Sequence, residues 1–168
     1  KNLGIEDRVR KFSVQKPGAS FFHVGGTKVH LKFTKRGKKE PGYSYNVPRP
    51  AFDNLMRERA TELGVSFMHH RAKIQPSELP DRDVELTEES LTAAGMTNHP
   101  TWLIDATGRS RLIARTLGLE AEKGDRKDVA YFAHFEEFIH DEVDPGQIII
   151  SLLKHGWAWR IPLQGKLS

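Results

Sequence analysis

The sequence predicts an α/β fold with a separate antiparallel layer. Three observations carry that expectation: hairpin-like alternating runs near both ends, a helical apolar period from residue 51, and an apolar run at 101–106 that enters a glycine turn and a second helix. Near the start, Leu3, Ile5, Val9 and Phe12 sit at helical spacing, and Pro17-Gly18 ends the run. Residues 20–24 and 28–33 flank the Gly25-Gly26 turn. In the second of these runs Val29, Leu31 and Phe33 alternate with Lys28, His30 and Lys32, the pattern of a half-buried hairpin strand. From Ala51 the period becomes helical: Phe52, Leu55, Met56, Ala60 and Leu63 share one face, and Arg57, Glu58, Arg59 and Glu62 face water. Pro50 suits the first helical position and Gly64 a C-terminal stop. Residues 65–68 read as a strand, and 72–100 as polar loop with one short strand near 84–86. The run 101–106 reads as a strand. A helix from Ser110 turns Leu112, Ile113 and Leu117 inward and stops at Gly118. Further strands are expected at 129–138, at 147–153 and from Trp157, with a tight reversal at Gly156.

At 168 residues the chain is long enough for one domain with a hydrophobic core. Its apolar and charged fractions, 38% and 29%, are those of a soluble globular protein, and no apolar run approaches bilayer-spanning length, so no membrane partner is expected. The absence of cysteine excludes disulfides and thiolate metal sites and suits a reducing compartment, giving a cytoplasmic expectation. Much of the net charge of +4 sits in Lys35-Arg36-Gly37-Lys38-Lys39. With few interleaved aromatics and no nucleic-acid-binding motif, that run reads as a solvated hairpin tip, and no nucleic-acid partner is expected. Among eight histidines, His69-His70 is the most metal-like pair. Neighbours on a strand point to opposite faces and no HExxH spacing is present, so no metal is expected. No Gly-x-Ser-x-Gly accompanies a Ser-His-Asp hydrolase reading.

Two stretches draw a chemical reading from their residues alone. In Asp105-Ala106-Thr107-Gly108 a strand leaves its sheet into a glycine turn and a helix N-terminus, geometry that favours phosphate or dinucleotide binding. The Asp105 carboxylate suits a ribose or ribityl hydroxyl, and Gly108 admits close approach of a ligand. An ordinary strand–helix turn capped by Ser110 has the same residues. In the last strand Trp157, Trp159 and Ile161 alternate with Ala158 and Arg160, so both indoles and Ile161 share a face, and Pro162 ends the pairing. Taken alone, that is also the aromatic face of a hairpin.

Resemblance to known families narrows these readings. Asp105-Ala106-Thr107-Gly108-Arg109-Ser110, followed by Ile113-Ala114-Arg115 and Leu117-Gly118, resembles the Asp-Ala-Thr-Gly segment of FAD-dependent monooxygenases, reductases and halogenases. Val47-Pro48-Arg49-Pro50, Phe52-Asp53, Leu55, Arg59-Ala60 and Leu63-Gly64 resemble the Arg-led helix of the same families. The resemblance implies that Arg49, Asp105, Thr107, Gly108 and Arg109 contact FAD. Trp157-Ala158-Trp159-Arg160-Ile161-Pro162 matches the Trp-x-Trp-x-Ile-Pro motif of flavin-dependent halogenases at every fixed position, and Val129-Ala130-Tyr131-Phe132-Ala133-His134-Phe135-Glu136 is similar to that family's sheet. By that resemblance Trp157, Trp159, Ile161 and Pro162 wall the path between flavin and substrate. Lys16, in Gln15-Lys16-Pro17-Gly18-Ala19-Ser20-Phe21, resembles the halogenase lysine of enzymes acting on phenol- or pyrrole-like rings. Its implied role is to hydrogen-bond hypohalous acid or to form a haloamine.

The fold implied is part of an FAD-dependent monooxygenase-like fold. It would be one incomplete unit, with about 1–70 and 101–120 on the FAD-binding side and about 125–168 as the antiparallel substrate-side sheet. The Gly-x-Gly-x-x-Gly turn that cradles the FAD pyrophosphate in such enzymes has no match, since Gly25-Gly26 lacks its spacing. By the same resemblance a later Gly-Asp element at the flavin end, and the acidic partner of the lysine, would lie after Ser168. These residues alone are therefore expected to be inactive. The implied parent enzyme halogenates an electron-rich aromatic substrate, free or carrier-tethered, through flavin hydroperoxide and hypohalous acid. It takes reduced FAD from a flavin reductase, with dioxygen and halide as co-substrates. An FAD-dependent monooxygenase, a prenyl-chain reductase and a non-catalytic fragment or interaction module remain alternatives.

Overall fold

A computed structural model describes residues 3–34, 41–122, 124–125, 127–136 and 145–168. The basic run at 35–39 and the end of the strand expected at 129–138 lie outside them. The chain divides into two compact units, residues 1–65 with 129–168, and residues 66–128.

In the first unit, α1 (Glu6–Arg10) carries its acidic residues in the first turn and basic residues in the last, as the helix dipole favours. It packs Ile5 and Val9 against Leu55 of α2 (Arg49–Glu62), with Phe12, Tyr45, Val47, Phe52 and Met56 closing the cluster. Arg8 clamps the two helices by donating to Glu58 at 2.7 Å and Glu62 at 2.8 Å. Helix α2 begins at Arg49, so Pro50 takes its second position, where a missing N–H costs nothing. Its end is the expected glycine: Gly64 has φ +90°.

Two short strands, β1 (Val14–Lys16) and β4 (Ser44–Asn46), pair antiparallel with Lys16 opposite Ser44. Pro17 interrupts the run, and β2 (Gly18–His23) then turns back at Gly25-Gly26 into β3 (Lys28–Lys32). Near the end of the chain β7 (Ile148–Leu153) and β8 (Gly156–Arg160) form a second hairpin. The two hairpins fuse because β2 pairs in parallel with β7, giving one four-stranded sheet in the order β3-β2-β7-β8. The sheet is thus mixed, not wholly antiparallel. Beyond it β9 (Pro162–Leu163) and β10 (Lys166–Leu167) make a small hairpin.

Two glycines let the strands approach this closely. A Cβ on Gly18 would lie 1.9 Å from the Leu31 carbonyl oxygen, and one on Gly146 2.0 Å from that of Gln15. Gly146 also accepts a hydrogen bond from buried Asn46 at 2.8 Å, which ties β4 to the entry of β7.

In the second unit β5 (Ile74–Pro76) and β6 (Val84–Leu86) form a hairpin, the latter at the expected place. Thr87 caps α3 (Glu88–Ala93) by accepting from the Ser90 N–H. A 3-10 turn at Gly108–Ser110 leads into α4 (Leu112–Thr116), which stops at Gly118 with φ +67°.

Three expected strands do not form ladders. Residues 65–68 continue from the end of α2 as exposed irregular chain, with Val65 N–H bonded back to Ala60. Residues 101–106 have no regular structure or strand pairing, with Trp102 83% and Ile104 85% exposed. Of residues 129–136 only Phe135 pairs, in a single bridge to Leu167. A strand is stabilised by a neighbouring backbone that takes its N–H and C=O groups, and no described residue supplies one here. Apolar composition suggested strands in these runs, and the described residues form none there beyond the Phe135 bridge.

Leu55 is the centre of the α1–α2 cluster. Leu55→Ala should cost about 2–5 kcal/mol, read as a fall in the urea midpoint at unchanged m value.

Candidate functional site

The register of the four-stranded sheet sorts its side chains onto two chemically different faces. Directly opposed residues project to the same side, so Trp159, Ile150, Phe21 and Val29 form one row, and Ile148, Ala19 and Leu31 the next. Trp157 and Leu152 extend that face at the other end. Most of it is open to solvent: Trp157 is 51% and Trp159 53% exposed, and Val29 and Leu31 are about as open. The opposite face carries Ser20, Phe22, Lys28, His30 and Arg160. There Lys28 Nζ lies 5.2 Å and the Arg160 guanidinium 5.9 Å from the Phe22 ring centroid, with the His30 ring edge-on to it.

Lys16 meets this sheet at Phe33. Phe33 continues the Val29, Leu31 alternation, and its N–H donates to the Pro17 carbonyl at 2.8 Å, which extends the β2–β3 pairing by one step. The Lys16 ammonium stands over the Phe33 ring, 5.5 Å from its centroid. Burial pushes the lysine below its usual value. The Phe33 ring beneath Lys16 and the two tryptophans, far apart in sequence, thus lie on one sheet face, at its opposite edges.

Trp157 and Trp159 pack with centroids 4.5 Å apart and planes tilted by 36°. Ile161 leaves this ladder. Its N–H and C=O pair instead with Ser168, and Pro162 is buried in the β9–β10 hairpin. The motif thus divides, with the indoles on the open sheet face and Ile161-Pro162 turning the chain away from it.

Arg49 stands exposed in the first turn of α2 and makes a bidentate pair with Asp53, both bonds at 3.2 Å. In the second unit the Asp105 turn is organised by its own carboxylate. Asp105 Oδ1 accepts from the Thr107 N–H at 3.0 Å and the Thr107 hydroxyl at 2.6 Å, and Oδ2 accepts from the Ile113 N–H at 2.8 Å. These donors hold the carboxyl below the usual aspartate range, the Thr107 hydroxyl most strongly. Thr107 Oγ1 in turn accepts from the Leu112 N–H at 3.1 Å. Ser110 was the expected cap, and the anion at the start of α4 is Asp105 instead. A phosphate is not needed there. Gly108 has φ +58° with open space around its Cα, so the backbone conformation is what calls for glycine. Arg109 is exposed beside it.

A search of family models matches residues 8–168 to the family described as tryptophan halogenase. The chain belongs to the tryptophan halogenase family. Among solved structures, a triple mutant of the flavin-dependent brominase Bmp2 aligns with 99% of the chain at TM-score 0.66 and 16% identity. A flavoprotein/dehydrogenase from Cytophaga hutchinsonii aligns with 99% at TM-score 0.61 and 21% identity. At these identities the likeness establishes the fold. The chain spans 42% and 40% of the length of those two proteins. No curated protein matches it significantly.

Two polar clusters in this tryptophan halogenase family chain had no signal in sequence spacing. Ser20 Oγ and His30 Nδ1 share a hydrogen bond at 2.8 Å across β2 and β3. A nucleophile's pairing is present, but Ser20 is 0% exposed between two strands, so it serves the sheet. At α1, Glu6 Oε1 accepts from Tyr43 at 2.5 Å, Tyr45 at 2.9 Å and Arg10 at 3.0 Å, above a cleft of about 480 Å³ lined by Ile5, Val9, Val47 and Phe52. Tyr43, then Arg10 and Tyr45, lower the Glu6 carboxyl from 4.5 to about 2. Its folded value lies below its unfolded one, so its stabilisation is complete above about pH 4.5 and is lost as the pH falls toward 2. The stability difference between wild type and Glu6→Gln should be constant near neutrality and shrink across that acid window, as followed by denaturation at each pH.

Proposed function

We propose that this chain supplies the lysine-bearing sheet and several FAD contacts of an enzyme that halogenates an electron-rich aromatic ring. The observation that carries the reading is the sheet face shared by Trp157, Trp159 and Phe33, the ring beneath Lys16, in a chain of the tryptophan halogenase family.

The residues present fit FAD in a specific way. An aspartate carboxylate offers about four lone-pair sites. Three are taken within the Asp105 turn, which leaves room for one ribose or ribityl hydroxyl at an exposed oxygen. Because that carboxylate already faces the first N–H groups of α4, the turn suits the hydroxylated part of FAD better than its phosphates. Arg109, exposed beside Gly108, offers a cation to the anionic part from the second unit, and Arg49, exposed on the first, is a separate candidate contact. Thr107 contributes by holding Asp105.

Reduced FAD delivered by a flavin reductase, with dioxygen, supplies the oxidising power that turns chloride or bromide into hypohalous acid. Lys16 donates a hydrogen bond from its ammonium to the oxygen of that acid. The halogen–oxygen bond breaks as the carbon–halogen bond forms, the departing hydroxide takes a proton and leaves as water, and the ring gives up its proton. Burial lowers the Lys16 value, which sharpens the ammonium as a donor near neutrality and also opens a haloamine route. The aromatic substrate lies against the apolar face. Trp157 and Trp159, with Ile161 and Pro162 holding the turn behind them, wall the passage and keep the substrate from the flavin.

The test uses the intact enzyme with a flavin reductase, FAD, halide and a phenol or pyrrole substrate. Lys16→Ala should lower halogenation by about 100-fold or more while FAD binding is kept. Halogenation at the normal rate would overturn the assignment. Hydroxylated or reduced product without a carbon–halogen bond would instead assign the enzyme to the monooxygenase or reductase branch.

A further inference from the structure

We propose that Phe33 is a positioning residue for Lys16: its ring face seats the ammonium at the edge of the apolar sheet face. The inference rests on the halogenation reading of Lys16 and adds to it the means by which a flexible side chain is held.

A lysine side chain has four rotatable bonds and loses up to about 2 kcal/mol of conformational entropy when fixed. Among the described residues no carboxylate is hydrogen-bonded or ion-paired to Lys16, and burial is the only cause that moves its titration. The geometry around it is nonetheless defined at both ends. Its backbone is held in β1 opposite Ser44, and the following Pro17 fixes the chain as it leaves that strand. At the far end, the Phe33 ring lies under the ammonium at 5.5 Å, within cation–π range.

Phe33 is itself fixed by the backbone. Its N–H bonds to Pro17, the residue next to Lys16, so ring and lysine are registered to each other by a single peptide step. Gly18 makes this possible, because any Cβ there would strike the Leu31 carbonyl and push β3 away. Phe33 is 40% exposed just past the end of β3, and the Lys16 ammonium stands over its ring. The ring also leaves the ammonium protons that point away from it open to hydrogen-bond an incoming oxygen, which a carboxylate partner would compete for.

The experiment is NMR of the intact enzyme with labelled lysine, together with steady-state kinetics. In the wild type the Lys16 ε-methylene protons, assigned by their loss in Lys16→Arg, should resonate upfield through the Phe33 ring current. Phe33→Leu should return them to the ordinary lysine position and lower kcat by roughly 5-fold to 100-fold. The lower figure is a cation–π contact of about 1 kcal/mol, and the upper one the cost of about 1 Å of misplacement. FAD affinity should be unchanged. Phe33→Tyr should keep the upfield shift and most of the rate, and Phe33→Met provides a second non-aromatic variant should leucine disturb the strand. An unshifted Lys16 signal in the wild type, or full kcat in both Leu and Met variants, overturns the proposal. If Lys16→Ala were to keep halogenation while the ring-current shift is present, the seat would stand and the catalytic reading would fail, so the two failures are distinguishable.

Discussion

Parallel pairing of β2 with β7 is the interaction on which the first unit depends. Each hairpin alone would be a two-stranded ribbon, marginal in water. Joined, they make a four-stranded sheet whose central strand β2 carries a fully buried serine, and the join places the tryptophan pair on the same face as Val29 and Leu31. Register is decisive because side chains alternate with period two. A slip of one residue would send Phe21 and Ile150 to the face of Lys28 and Arg160. The Gly18 and Gly146 approaches, with the Asn46 bond to Gly146, hold the segments that enter this pairing.

The two faces of the sheet illustrate how composition becomes chemistry. Cations gather around Phe22 on one side, where ring faces and solvent both favour them. The other side collects aromatic and branched side chains, with the Lys16 ammonium over Phe33 at its rim. An exposed apolar face with tightly paired indoles is costly in water and is usually tied to binding. In the second unit the Asp105 turn works by a different principle: a carboxylate consumes local donors to fix a short helix start, and it retains one acceptor site for a neighbour.

Much of the local structure was legible in the sequence. Strong periodicity gave α2 and its Gly64 stop and the β2–β3 and β7–β8 hairpins, and the short strand at Val84–Leu86 lies where it was expected within a polar stretch. The runs at 101–106 and 129–134 misled for a physical reason: strand character is a property of side chains, but a strand exists only through a partner backbone. The short pairs β1–β4 and β5–β6 were overlooked because three residues are too few to show a period. The Glu6 cluster was hidden because its members come from separate elements, two tyrosines in and beside β4 and a glutamate in α1.

The sequence by itself determined the family and the α/β class, and it marked residues such as Trp157 to Pro162 by their fixed spacing, because such spacings are written along the chain. The tertiary structure decided which of them meet. It put Trp157 and Trp159 on the face that Lys16 borders, turned Ile161 and Pro162 into the next hairpin, and set Phe33 beneath the lysine. Those placements follow from strand register and from the parallel join of distant segments, and neither can be read from local periodicity.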